Sequence, residues 1–280
     1  MRDALALWDA GEGERSTPLY GVSPPIDSGR PDLPPFFSDG LAVGRDFFAM
    51  FDVPFVHGQP WSAEDDQRGT QVAVISRSLA ERVYGEDVNP VGQSIRASDG
   101  EYQVVGVIDT WDPLPKFYRL VGSNRFDTSE DIYLPIRTAI ARELQVNGNI
   151  SCNSSPGVGF RGLVESECNW VQFWAELDDA SGRGEYADFI DAYVSEQKAL
   201  DRFPRELNNR LYDVREWLDV REVVSDDTRT STWLAFAFLL VCLVNTVGLL
   251  LAKFSARPGE IGVRRAIGAS RAEIFQQYLT

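Results

Sequence analysis

Among 280 residues there is one histidine, His57, so a histidine metal cluster or a His-based catalytic triad cannot be assembled from this chain. His57 lies in Val53-Pro-Phe-Val-His-Gly-Gln-Pro60, which reads as a loop or strand end with the imidazole on the surface. Glu64-Asp65-Asp66 could gather a cation, but three carboxylates directly after Ser62 read more simply as the solvated first turn of a helix that Ser62 caps. The sequence holds no Gly-x-x-x-x-Gly-Lys-Ser/Thr loop to cradle nucleotide phosphates and no Gly-x-Ser-x-Gly nucleophile elbow. Catalytic, metal and cofactor-binding residues are therefore assigned as none. Cys152 and Cys168 lie in the polar part of the chain, while Cys242 sits in an apolar run. In an oxidising compartment the first two could close a loop worth about 3 kcal/mol; the alternative is two free thiols in a Gly/Ser-rich loop.

The remaining chemistry is recognition by charge, and it is concentrated at one end. Trp233 to Ala252 runs for 20 residues without a charge. As a helix it would be about 30 Å long, the thickness of a bilayer's hydrocarbon core. Trp233 is placed to anchor the outer boundary of that span, and Asn245 puts an amide in hydrocarbon, where it either meets another helix or is tolerated alone. Beyond the span, residues 253–280 carry five Lys/Arg and two Glu, a net +3, against −15 for the whole chain; residues 1–252 are therefore −18. Short basic segments stay on the cytoplasmic side, which predicts an extracytoplasmic acidic region and a cytoplasmic C-terminus. So acidic a surface argues against a nucleic-acid partner.

Pro258-Gly-Glu-Ile-Gly-Val-Arg-Arg-Ala-Ile-Gly268 reads as a helix with Pro258 in its first turn and Gly268 as its stop, placing Ile261, Arg264, Arg265 and Gly268 on one side. Ser270-Arg-Ala-Glu273 reads as a capping box that opens a second helix with Ile274, Phe275, Tyr278 and Leu279 apolar. The arrangement suggests a basic foot lying along the membrane face.

The acidic region must present something to this foot. Its first 40 residues, rich in Pro, Gly, Ser and Asp, read as extended or loosely ordered chain, with regular structure from Leu41. Arg45–Phe51 has helical spacing. Gln71–Ile75 reads as a buried strand, followed by a helix from Arg77 to Tyr84 with Ser76 as cap and Gly85 as stop. Ser94–Ala97 and Glu101–Ile108 form a hairpin around Asp99-Gly100; Asp131–Ile136 is a further strand whose Pro135 marks an edge or an end. Residues 111–125 read as an irregular loop. Trp170–Leu177 alternates as a half-buried strand before an amphipathic helix over Glu185–Leu200, with Asn208–Tyr212 as a return strand and Val214, Trp217 and Leu218 starting a stalk helix toward the span. The fold class is α+β: a mixed outer domain of strand–helix–strand units and a hairpin, one transmembrane helix, and a short cytoplasmic helical segment. The expected boundaries are 1–40, 41–229, 230–254 and 255–280.

Glu260-Ile-Gly-Val-Arg-Arg-Ala-Ile-Gly-Ala-Ser-Arg-Ala-Glu-Ile-Phe275 closely resembles the segment after the second span in FtsX/MacB-type ABC transporter permeases. Gly44-Arg-Asp-Phe-Phe48, Gly58 to Asp66, Val72-Ala-Val-Ile-Ser76, Asn89-Pro-Val-Gly-Gln-Ser-Ile95 and Val104-Val-Gly-Val-Ile108 are similar to successive elements of the MacB-like periplasmic core domain. The resemblance implies a permease of a bacterial inner membrane with its core domain between the first and second spans. It implies pairing with a second protomer and with an ABC ATPase subunit that uses the ATP, and a periplasmic adaptor as a further partner beside membrane lipid. On it, Glu260, Ile261, Gly262, Val263, Arg264, Arg265, Gly268, Ala269 and Ser270 would form the ATPase contact, with Arg264 and Arg265 as its charged anchors. ATP-driven closure would then reach the outer domain through stalk helices and expel or release cargo. The polar start of the chain leads to the expectation that the sequence is a piece of a longer protein with an earlier span. A single-span sensor, or a lipoprotein-releasing or division-type permease, would keep the same architecture.

Overall fold

The structure, a computed structural model, describes residues 1–123, 125–203, 206–223, 226–255, 258–270 and 276. It divides into two compact units, Met1–Arg221 and Glu222–Thr280.

In the first unit the elements run α1 (Arg2–Ala10), β1 (Arg15–Val22), β2 (Pro25–Asp27), β3 (Phe36–Phe37), β4 (Gly40–Val43), α2 (Phe47–Met50), β5 (Phe55–Gly58), α3 (Ala63–Arg68), β6 (Val72–Ser76) and α4 (Arg77–Tyr84). They continue through β7 (Ser94–Ala97), β8 (Gly100–Ile108), β9 (Ile132–Pro135), α5 (Ile136–Ala141), α6 (Gly159–Glu165), β10 (Gln172–Glu176), α7 (Ala180–Ala199) and α8 (Val214–Val220). The strands form one mixed sheet in the order β10-β1-β4-β9-β6-β8-β7-β2-β3, with β5 added on β8. Neighbours are antiparallel except β4 with β9 and β6 with β8.

The sheet is buried on both faces, and strand alternation sorts its residues between them. Tyr20, Val22, Ala42, Ala73, Ile75, Ile132 and Leu134 face a core completed by Leu79, Ala80 and Val83 of α4 and by Phe160 and Trp170. Leu19, Leu41, Val43, Val72, Val74 and Tyr133 face a second, aromatic core with Phe47 and Phe48 of α2, Trp61 and Tyr118. Phe47 alone meets Phe48, Phe51, Trp111, Tyr118 and Tyr133 with ring centroids 5.0–5.8 Å apart. Helix α4 forms as its residues dictate: the Ser76 hydroxyl accepts the Leu79 N–H at 3.1 Å, the apolar residues fall on one face, and Gly85 ends the helix at φ 104°.

Several sequence expectations are corrected here. The first 40 residues are built into the fold: β1 lies between β10 and β4, and its residues from Ser16 to Val22 are buried. Their Pro and Gly content hid this, because what accommodates these residues lies far away in the sequence. Gly21 is glycine because the Arg119 guanidinium lies on it; a Cβ there would stand 1.8 Å from Nη2. The hairpin turn is Ser98-Asp99, one residue earlier than expected, since Ala97 pairs with Gly100 and Ser98 takes the left-handed conformation at φ 55°. Pro135 does end its strand, but β9 is internal, between β4 and β6. Asn208–Tyr212 is not a strand; β10 takes β1 as its sheet neighbour instead. Helix α8 stops at Val220 and does not run on as a stalk, because residues 221–223 turn out of helical geometry.

The second unit contains α9 (Asp226–Ser255) and α10 (Pro258–Ala266). Helix α9 begins seven residues before the apolar run, adding a charged turn at its start.

Candidate coupling segment and outer-domain anchors

Helix α9 contains a stretch, Asp227–Lys253, long and apolar enough to cross a membrane, and none of that window is buried within the chain. Its large side chains are correspondingly bare: Trp233 is 76% exposed and Phe238 72%. Asn245 and the free thiol Cys242 are also on exposed positions of this helix. Polar groups on the helix can satisfy themselves locally, as the Thr246 hydroxyl does by donating to the Cys242 carbonyl at 2.8 Å.

Glu260, Ile261, Gly262, Val263, Arg264 and Arg265 lie together on α10, with Pro258 at its first position, where a missing N–H costs nothing. The helix closes as its residues predict. Gly268 takes φ 101°; its N–H donates to the Arg265 carbonyl at 3.2 Å, and the Ala269 N–H reaches the Arg264 carbonyl at 3.0 Å. Arg264 is half-buried, and Arg265, Val263 and Gly268 are exposed. Two guanidiniums in the last turn complement the negative end of the helix dipole. Among the described residues Gly262 and Gly268 have open space where a Cβ would stand, so packing against those residues requires neither. Ser270 is exposed; Arg271 to Phe275, on which the expected capping box and second helix depend, lie outside the described residues.

In the outer unit Cys152 and Cys168 are joined as a disulfide, with Cα atoms 4.2 Å apart. An isolated bridge between Ser151 and Asn169 brackets the same junction. His57 is exposed at the end of β5. The acidic turn after Ser62 is a helix start with a full capping box between Ser62 and Asp65, but Asp66 is not solvated. It is buried, accepting the Arg45 N–H at 2.9 Å and the Trp61 indole N–H at 3.0 Å, and burial pushes its carboxyl up to about 6 in spite of those two bonds.

The residues 111–125, which the sequence leaves irregular, carry the main polar anchor of the domain. Glu130, 1% exposed, accepts on one oxygen from Lys116 Nζ (3.0 Å) and Arg119 Nη1 (2.7 Å), and on the other from the Tyr118 hydroxyl (2.7 Å). Lys116 also donates to the Thr128 carbonyl and Arg119 to the Asn147 carbonyl, each at 2.6 Å. Burial first, and then the Glu130 charge, hold the Tyr118 hydroxyl protonated. The signal in the sequence was available: two cations three residues apart among aromatics, in an otherwise acidic region.

The family profile of the MacB-like periplasmic core domain matches residues 3–185, and that of the FtsX-like permease C-terminal region matches residues 233–280. The chain belongs to the MacB/FtsX-like ABC transporter permeases. Relatives of this permease include the macrolide export ATP-binding/permease protein MacB of Bdellovibrio bacteriovorus, 25% identical over 80% of this chain and 30% of that protein. The pyoverdine export ATP-binding/permease protein PvdT of Pseudomonas savastanoi pv. phaseolicola is 23% identical over 100% of this chain and 37% of its own length. The chain thus spans about a third of the length of the curated relatives it matches. The crystal structure of the periplasmic region of MacB from Actinobacillus actinomycetemcomitans is 14% identical, with a TM-score of 0.46 over 73% of this chain and 83% of that one. Membership places the permease in an inner membrane through an apolar helix, with an extracytoplasmic outer domain.

Proposed function

We propose that this permease transmits ATP hydrolysis by a partner ABC ATPase into movement of its outer domain, for export or release of cargo. The observation that carries the reading is a short basic helix, α10, with Arg264 and Arg265 in its last turn, following the candidate span in the region that matches the FtsX-like permease profile. The basic segment sits on the cytoplasmic side, since Lys and Arg near a span resist translocation. There α10 and the turn after it meet the ATPase: exposed Gly262, Val263, Arg265, Gly268 and Ser270, with half-buried Arg264 and Ala269, offer charge and small side chains for close approach. Glu260 and Ile261 complete the contact. In this reading the hydrolysis of ATP belongs to the partner and not to this chain.

In this reading α9 works as a rigid lever, since a continuous helix carries displacement along its axis better than a jointed one. Its bare apolar surface is covered by lipid and by a second permease protomer, with Asn245 at the helix–helix contact. A periplasmic adaptor receives what the outer domain delivers.

The test is Arg264→Glu with Arg265→Glu in the full permease, reconstituted with its ATPase. Stimulation of ATP hydrolysis is expected to be lost while the outer domain melts unchanged. Normal stimulation in that double variant would remove α10 from the contact.

A further inference from the structure

Among the described residues strand β10 has one neighbour in the sheet, β1, so one edge of its backbone is unpaired there. Antiparallel partners alternate between pairs that exchange hydrogen bonds and pairs that do not. Phe173 stands opposite Pro18, which has no N–H to give, and this identifies Phe173–Pro18 as a pair of the second kind. With a period of two, Phe173 and Ala175 turn their N–H and C=O groups outward, away from β1. They face a cavity of about 1000 Å3 bounded by β10, α7, α8 and residues 210–213.

Residues 210–213 form another part of the cavity wall. Residues 206–212 have no secondary structure, and among the described residues none of their backbone N–H groups is donated to a partner. This segment is held by side chains instead: Arg183 donates to the Leu211 carbonyl at 2.6 Å, and Asn209 donates to Asp191 at 2.8 Å. Trp174, Tyr186, Tyr212 and Trp217 make the cavity walls apolar. Trp170 and Tyr186, 6% and 4% exposed, each hold a buried polar atom without a partner among the described residues, as does Gln172.

An open strand edge beside an aromatic-lined cavity offers a slot for an added strand. We infer that this slot binds an extended polypeptide segment, apolar in its middle and positively charged at its ends, which adds to the edge of β10. The sign follows from charge. Residues 1–252 carry −18; on the lining Glu176 is paired with Arg15 at 2.8 Å and Arg183 with Glu216 at 2.7 Å, which leaves Asp179 and Asp213 against Arg210. The inference goes beyond the coupling reading, because such binding needs no ATPase; loss of coupling would leave it intact.

The experiment titrates the full chain, in zwitterionic nanodiscs, with a peptide of alternating valine and phenylalanine flanked by lysines, following tryptophan fluorescence and subtracting empty discs. Saturable binding is expected. N-methylation of alternate peptide amides should weaken it at least about tenfold, because strand hydrogen bonds are lost while apolar contacts remain. Replacing the flanking lysines by glutamates should weaken it by a similar factor. Ala175→Pro removes an outward donor without touching the bonds to β1, and should match the N-methylation effect. Absence of saturable binding, or equal affinity for the N-methylated peptide, would overturn the slot. If Ala175→Pro fails to fold, the N-methylated peptide alone decides.

Discussion

The outer unit and the helical unit solve opposite problems with the same residue types. In residues 1–221 the largest aromatic side chains of the core are turned inward: Tyr20, Tyr102, Tyr118, Tyr133 and Phe47 are fully buried, Lys116 and Arg119 are paired with Glu130, and Asp66 is met by two N–H donors. In α9 the aromatic and aliphatic side chains are largely exposed, and none of the apolar window is buried among the described residues. The first unit therefore carries its own stability, whereas the second depends on the medium around it. Substitutions that empty the interior should unfold the former, and equivalent substitutions in α9 should leave its melting untouched.

The sharpest way to break that contrast is Glu130→Ala. It strands Lys116 and Arg119 in the interior without an anion, and the loss of one partner from a buried ion pair costs about 3–5 kcal/mol. Urea denaturation of the full chain should show the outer-unit transition collapse, with the helical signal of α9 retained. Next in size is the disulfide. Cys152→Ser with Cys168→Ser opens a loop of separation 16, for which the chain-entropy estimate is about 3 kcal/mol. The double variant should melt several degrees lower, and reductant should lower the parent but not the variant.

A smaller effect comes from Asp66. Its folded-state carboxyl is raised to about 6, above an unfolded value of about 4, so the stabilising contribution is full below pH ~4 and is lost as pH rises through 6. Thermal melts between pH 5 and 7.5 should show the parent losing stability, and Asp66→Asn should flatten that slope. Smallest of all is Leu243→Ala in α9, expected to leave the outer-unit transition within about 0.5 kcal/mol of the parent, as for any site remote from a folding unit's interior. A shift of several kcal/mol there would mean that the two units do not fold independently.

Legibility in the sequence followed the range of the interactions. The turn of α4 between Ser76 and Gly85, the capped start of α3, the hairpin near Asp99 and the apolar run of α9 each rest on contacts within a few residues, and all were visible as local pattern. Strand β1 was not. Its Pro18 and Gly21 look like breakers until Phe173 and the Arg119 guanidinium are placed beside them, and those lie 155 and 98 positions away in the sequence. Asp66 was misjudged because its burial is not written in local pattern, although one of its two donors, the Trp61 indole, is only five residues away and the other, the Arg45 N–H, is 21 away. For the candidate coupling segment the position was legible throughout, from Pro258 to Gly268, because helix starts and stops are local chemistry.

By itself the sequence determined the α+β class, an apolar helix of membrane-crossing length, and the family, through motifs read residue by residue. Only the tertiary structure decided which strand neighbours which, that Lys116, Arg119 and Glu130 share one buried site, and that the edge of β10 is left open beside an aromatic cavity. The physical reason is that helix periodicity and capping are written into neighbouring residues, whereas strand order and buried charge pairing are settled by competition among distant segments for the same interior.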